Sequence, residues 1–154
     1  MSLEFRVDIP GADRIAKKAD RVALEIMKEV EKAVFLSAKK VEKEAKESIL
    51  SGQKSGRVYR RGKTVLHRAS APGEAPASDT GRLVNSINTY FERATATALV
   101  IAGRGAVKYA AMLEFGTSKM LPRPFFQTAL EKNRHWIRDR IAKAVVDGER
   151  RGTK

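Results

Sequence analysis

The sequence predicts an α+β fold: a small antiparallel sheet packed by a long N-terminal helix and a C-terminal helix, with a long basic loop. Three observations carry this. Apolar residues from Ile15 to Ile49 recur at steps of three or four, which draws one stripe along a helix. Residues 86–102 hold two short runs rich in Thr, Val and Ile, the composition of strands. Residues 51–79 are dense in Gly, Pro, Ser and basic side chains, and read as an extended loop.

Taken in order, residues 3–9 (Leu-Glu-Phe-Arg-Val-Asp-Ile) alternate apolar and charged, the pattern of a half-buried strand, and Pro10-Gly11 ends it. The long helix starts at Gly11 or Asp13. Its stripe is Ile15, Ala19, Val22, Ile26, Val30, Val34, Ala38, Val41, Ala45 and Ile49, and Ser51-Gly52 stops it. The other faces carry Lys40/Glu44, Glu42/Lys46 and Lys43/Glu47 at i,i+4, read as a solvated charge ladder. Such a helix spans roughly 55 Å, against a diameter near ~40 Å for a compact chain of this size. It must bend, break or project; a kink near Phe35-Leu36-Ser37 is one solution and cover by a neighbouring copy the other.

Within 51–79, Val58-Tyr59 and Thr64-Val65-Leu66 suit a brief hairpin around Arg61-Gly62. Asp79-Thr80-Gly81 reads as the cap of a short turn or helix over 82–86. Strands are expected at Ser86–Glu92 and Thr95–Ala102, joined at Arg93-Ala94. A short helix is expected over Val107–Phe115 with Tyr109, Met112, Leu113 and Phe115 inward, broken by Gly116-Thr117-Ser118. Pro122-Arg123-Pro124 makes a stiff lead-in to the last helix, whose inward residues read as Phe126, Leu130, Ile137, Ile141, Ala144 and Val145. Gly148 ends it and residues 150–154 read as a frayed tail. Residues 1–154 form one domain with no internal repeat.

The 154 residues include 31 Lys+Arg, 18 Asp+Glu, two His and no Cys, a net charge of +13. Without cysteine there is no disulfide framework, thiolate nucleophile or Cys-bound metal. His67 reads as solvated and His135 as a surface or packing residue, neither within a ligand-like cluster, so no metal and no cofactor is expected. Trp136 is read as a core anchor ahead of an interface anchor. No apolar run reaches membrane-spanning length and the first residues lack a signal-peptide core, so no membrane partner is expected and synthesis is expected in a cytoplasm. The positive excess concentrates in residues 52–73, where Lys54, Arg57, Arg60, Arg61, Lys63 and Arg68 stand with no acid. Such a stretch attracts phosphate, an anionic lipid surface or an acidic protein, or is simply solvated. Only Tyr59 interleaves an aromatic ring, a weak signal for base stacking.

No nucleophile elbow, phosphate-binding loop or His-Glu-x-x-His motif is present. Gly103-Arg104-Gly105 is a turn. Glu114 is the one imaginable general base, but no acid or His is placed to work with it, and no enzyme is expected.

Two stretches together point to a family. One runs His67-Arg68-Ala69-Ser70-Ala71-Pro72-Gly73-Glu74-Ala75-Pro76-Ala77-Ser78-Asp79-Thr80-Gly81-Arg82-Leu83, then Ser86-Ile87. The other runs from Tyr109 through Leu113-Glu114-Phe115-Gly116-Thr117 to Leu121-Pro122-Arg123-Pro124-Phe125-Phe126, then Ala129-Leu130. The pair resembles the gene-product-ten family of HK-type tailed bacteriophages and prophages, regarded as tail-completion or head–tail joining proteins. Phe126 is bulkier than the aliphatic residue usual there. The resemblance implies a structural virion protein of the neck or upper tail end, assembled in the bacterial host cytoplasm. Its implied partners are copies of itself in a ring, six-fold to match the tail, the tail tube protein and the head–tail connector proteins, with DNA passing through the lumen. The candidate partner or DNA contacts are Lys54, Arg57, Arg60, Arg61, Lys63 and Arg68, with an acidic rim on a neighbouring protein slightly preferred to DNA. The candidate subunit-interface or turn residues are Glu114, Phe115, Gly116, Pro122, Arg123 and Pro124, for which plain fold geometry is the competing account. The alternative function is a basic nucleic-acid-binding protein using the 54–68 loop.

Overall fold

A computed structural model describes residues 11–51, 54–105 and 107–154. The strand expected over residues 3–9 lies outside them. The elements are α1 (Ala12–Leu50), β1 (Val58–Arg61), β2 (Val65–Arg68), α2 (Arg82–Asn85), β3 (Asn88–Glu92), β4 (Thr97–Ile101), α3 (Ala110–Phe115) and α4 (Phe126–Gly152). The fold is α+β, a long N-terminal helix and a C-terminal helix with two separate two-stranded antiparallel sheets, β1-β2 and β3-β4.

α1 runs 39 residues with no break at Phe35-Leu36-Ser37, ~58 Å of helix. The buried Ser37 hydroxyl donates back to the Ala33 carbonyl at 2.7 Å instead of interrupting the ladder. The apolar stripe finds its cover within the chain, because α4 lies antiparallel along it. Lys132 reaches Glu44 at 3.0 Å, Lys40 sits over the Trp136 ring at 4.9 Å, and Arg21 Nε donates to the Gly152 carbonyl at 3.1 Å. The cover ends there: Ile15 and Ala19 remain exposed beyond the end of α4.

Small residues line the seam. Ala33, Ser37, Ala38 and Ala45 on α1 are buried, as are Ala129, Asn133, Ala144, Gly148 and Gly152 on α4. Gly148 therefore does not end the helix, and the expected frayed tail is corrected: α4 continues through Gly152. A Cβ on Gly148 would stand 2.4 Å from the Ile26 Cα, and one on Gly152 2.5 Å from the Val22 Cα, so the backbones meet because these side chains are missing. The inward face of α4 is rotated from the expected one; Leu130 and Val145 are exposed.

The core sits at one end of this helix pair. Val41, Ala45 and Ile49 pack with Leu83, Val84, Ile87, Val107, Ala110, Phe125 and Ala129. β3 and β4 lie on α1, with alternate residues Thr89, Phe91, Ala98 and Val100 turned inward. Phe91 meets Phe35 edge-on at 5.7 Å. β3 starts two residues later than expected because the Ser86 N–H closes the α2 turn on Arg82 and Leu83. β4 starts later because Arg93–Ala96 form the turn, with Ala96 at φ 48°.

Part of the charge ladder is not a solvated face. Glu42 is buried and accepts from Lys39, Lys46 and the Thr89 hydroxyl at 2.8, 2.6 and 2.6 Å. Lys43 does pair with Glu47, at 3.6 Å, but Lys40 turns to Trp136 and Glu44 to Lys132, so that expected pair is replaced by two contacts to α4.

Candidate functional site

The basic segment is a hairpin with a pinned base. β1 and β2 pair as Val58↔Arg68, Tyr59↔His67, Arg60↔Leu66 and Arg61↔Val65, with the turn over 62–64, as the residue pattern predicted. At its base the Gly56 N–H donates to the Ala69 carbonyl and the Ala69 N–H to the Arg57 carbonyl, both at 3.0 Å. Glu74 accepts from the Ser55 N–H, the Ser55 hydroxyl and the Ala71 N–H. The Ser55 hydroxyl, followed by the two backbone donors, holds its carboxyl down at about 2. The Gly73 N–H donates to the Pro122 carbonyl at 2.9 Å, tying the hairpin base to the lead-in of α4.

Lys54 belongs to this anchoring. Its ammonium donates to the Ser48 carbonyl at 3.0 Å and the Ala75 carbonyl at 2.9 Å, and burial lowers its pKa. It clamps the end of α1 to the 70–76 segment. Arg57, Arg60, Lys63 and Arg68 are exposed along the hairpin, while only the backbone of Arg61 is described. On the face that carries Arg60 and Arg68 stand Val58 and Leu66, the latter 68 % exposed. The hairpin thus offers cations and bare aliphatic side chains together. On its other face the Tyr59 and His67 rings meet edge-on at 5.2 Å, and His67 Nδ1 lies 3.9 Å from Asp79. His67 is half-buried, which corrects its reading as a solvated residue. These two rings, Asp79, Arg82 and Arg123 line a cleft of about 260 Å³.

The second block forms a corner between α3 and α4. Glu114 is buried, and its two oxygens accept from the Phe125, Phe126 and Gln127 N–H groups at 2.9, 3.0 and 2.7 Å. A carboxylate there satisfies N–H groups that the first turn of α4 cannot pair internally and meets the positive end of its dipole. Glu114 thereby caps α4. Gly116 holds φ 77°, and a Cβ on it would stand 2.7 Å from the Met120 carbonyl. The Arg123 N–H donates to the Leu113 carbonyl at 2.7 Å, closing the corner over Pro122. Pro124 is half-buried just before α4. Glu114, Gly116, Pro122, Arg123 and Pro124 all lie at this corner.

Phe115 is different, being 74 % exposed. Met112, one turn back on α3, is exposed too, and so is Leu121. The expected inward set on α3 is corrected: Ala110, Leu113 and Glu114 face in, because a buried carboxylate cap takes the place of a packed aromatic. Trp136 is likewise partly exposed under Lys40 and not in the core. Sequence reasoning missed Leu121, Leu66 and the outward pair Tyr90 and Leu99, directly opposite each other on β3 and β4. Their signal was available, since Tyr90 and Leu99 alternate with the inward residues of their strands.

Among the described residues no group of three His, Cys, Asp or Glu side chains is placed to hold a metal ion, and no helix is long and apolar enough to cross a membrane. Comparison with protein-family models, with curated proteins and with solved structures found no match.

Proposed function

We propose that this protein is a structural component of a tailed-phage virion, placed at the neck or upper tail end, which forms a ring that completes the tail and joins it to the head connector. The observation that carries the reading is the pairing of the Pro72-Gly73…Asp79-Thr80-Gly81 block with the Glu114-Phe115-Gly116…Pro122-Arg123-Pro124-Phe125 block in one chain. The distribution of bare apolar side chains supports it. Phe115, Leu121, Leu66 and Leu99 are exposed on different elements of the chain, where a partner could cover them. Contacts on different faces suit head-to-tail association, which closes into rings. The partners in this reading are other copies in a six-fold ring, the tail tube protein and the connector proteins, with DNA crossing the lumen. The hairpin, offering Arg60 and Arg68 beside Val58 and Leu66, suits an acidic protein surface with an apolar centre better than it suits a phosphate backbone.

Light scattering and negative-stain images of the purified protein, alone and with tail tube protein, test this: rings are expected. In a phage carrying the gene, its deletion is expected to leave separate heads and tails; normal infectious particles would overturn the reading.

A nucleic-acid-binding protein is the second reading, favoured by the exposed Arg57, Arg60, Lys63 and Arg68. It requires affinity that falls steeply with salt, and a log–log slope that drops by about 3–4 when Arg57, Arg60, Arg61 and Arg68 are neutralised. Absence of binding at low salt eliminates it.

A further inference from the structure

A long apolar groove opens beside β4. β4 pairs with β3 on one side only; its other edge has no strand partner among the described residues. Between that edge and α4, floored by α1, lies a groove of about 290 Å³ lined by Val34, Ala38, Val41, Ala98, Leu130 and Ile137 among others. A second apolar hollow, about 270 Å³, continues it past Val100 and Phe126 toward Phe115. The inward residues of β4 at the groove are Ala98 and Val100, and the small Ala98 leaves room where a larger side chain would have filled it. An open strand edge next to an apolar trough is the template for one more strand.

The sequence holds one segment of matching chemistry. Residues 3–9 alternate, placing Leu3, Phe5, Val7 and Ile9 on one side and Glu4, Arg6 and Asp8 on the other. Laid beside β4, the first set would fill the trough and the second would face water. Seven residues match the five of β4 with one to spare at each end.

The chain's own segment cannot reach. It is joined to Gly11, at the start of α1, and the groove begins at the level of Val34. That is 23 helical residues away, ~35 Å along the axis. Leu3 lies eight residues from Gly11, at most ~29 Å when fully extended. Residue 3 falls short of the nearest end of the groove, and the middle of the segment falls shorter still.

We infer that residues 3–9 of one copy add a third strand to the β4 edge of a second copy, filling its apolar groove. Donor and acceptor are different surfaces, so the exchange suits a head-to-tail contact, which forms a ring where its rotation closes and a swapped dimer where two copies exchange reciprocally. It deepens the ring reading above but does not require a virion.

The chain has no cysteine, so introduced ones report cleanly. Phe5→Cys and Ala98→Cys proteins, one carrying a size tag, are mixed and treated with a short bis-maleimide. The expected product joins one protein to the other, and the diluted double variant gives no cross-link within a single chain. Removal of residues 3–9, or Phe5→Asp with Val7→Asp, is expected to turn the assembly into monomers with unchanged helical circular dichroism. A cross-link inside one chain, or assembly that persists without residues 3–9, overturns the strand exchange; persistence leaves the ring reading standing through other surfaces. A native chain that is monomeric at all concentrations overturns both. A product joining only two Ala98→Cys chains shows another occupant of the groove and overturns the inference.

Discussion

Single residues hold this fold at its bends. Glu114 takes three N–H groups of α4 into one carboxylate from another helix. Its replacement by Ala strands those donors, and a loss of about 2–3 kcal/mol is expected in urea unfolding, with Glu114→Gln costing less. Ala96 sits at φ 48° in the β3-β4 turn, where a side chain crowds the carbonyl. Ala96→Gly is therefore expected to raise stability by about 0.5–1 kcal/mol, read as a higher melting temperature. Glu42 gives the fold an acid-sensitive point. Burial pushes its pKa up, but the donors Lys39, Lys46 and Thr89 outweigh that and hold it at about 2, below the ordinary 4.5. A depressed carboxylate stabilises the fold above its unfolded value, and the contribution fades as pH falls from 4.5 toward 2. Unfolding measured between pH 6 and 2 should lose up to about 3 kcal/mol from this group, a loss absent in Glu42→Gln. Glu74, also held at about 2, gives up its contribution in the same window and with the same sign.

At the scale of elements, α1 and α4 depend on closeness more than on bulk. Gly148 and Gly152 meet the α1 backbone directly, so the helix pair tightens toward the C-terminus of α4. Gly148→Val is expected to force the helices apart and cost about 1–3 kcal/mol or more. At the other end, the aliphatic stripe of α1 meets Phe125 and Ala129 in the true core. The hairpin is a different kind of element. Its strands are short, but Lys54, Glu74 and Gly73 fasten its base to α1, to the 70–76 segment and to the α4 lead-in. Lys54→Met, which removes the clamp while keeping the stem, should raise amide exchange at the hairpin base without lowering global stability by more than about 1–2 kcal/mol.

The whole molecule is a helix pair with apolar side chains left in the open on several sides. Leu66, Phe115 and Leu121 contribute little to the monomer's own packing. Leu66→Ser and Phe115→Ser should leave unfolding within about 0.5 kcal/mol of the native chain, yet weaken self-association or partner binding measured by light scattering and co-sedimentation. Substitutions that affect stability and association equally would place these residues in the fold and not at a contact.

Periodicity and punctuation determined much of this molecule in advance. The stripe from Ile15 to Ile49 needs only helical spacing to be read, and α1 follows it to within a residue or two; the Gly62 turn and the Thr/Val/Ile runs place both hairpins to within a residue or two by local chemistry. Tertiary structure decided the rest, because its causes lie far apart in the chain. No local rule distinguishes a Gly148 that stops a helix from one that lets Ile26 approach, or a Glu114 that works as a base from one that caps a helix eleven residues on. The basic residues looked alike in sequence; the fold separated Lys54, taken up by two carbonyls, from Arg60 and Arg68, left facing outward. Which apolar side chains remain exposed is likewise settled by how α4 rotates against α1, a question of packing that spacing along one chain does not encode.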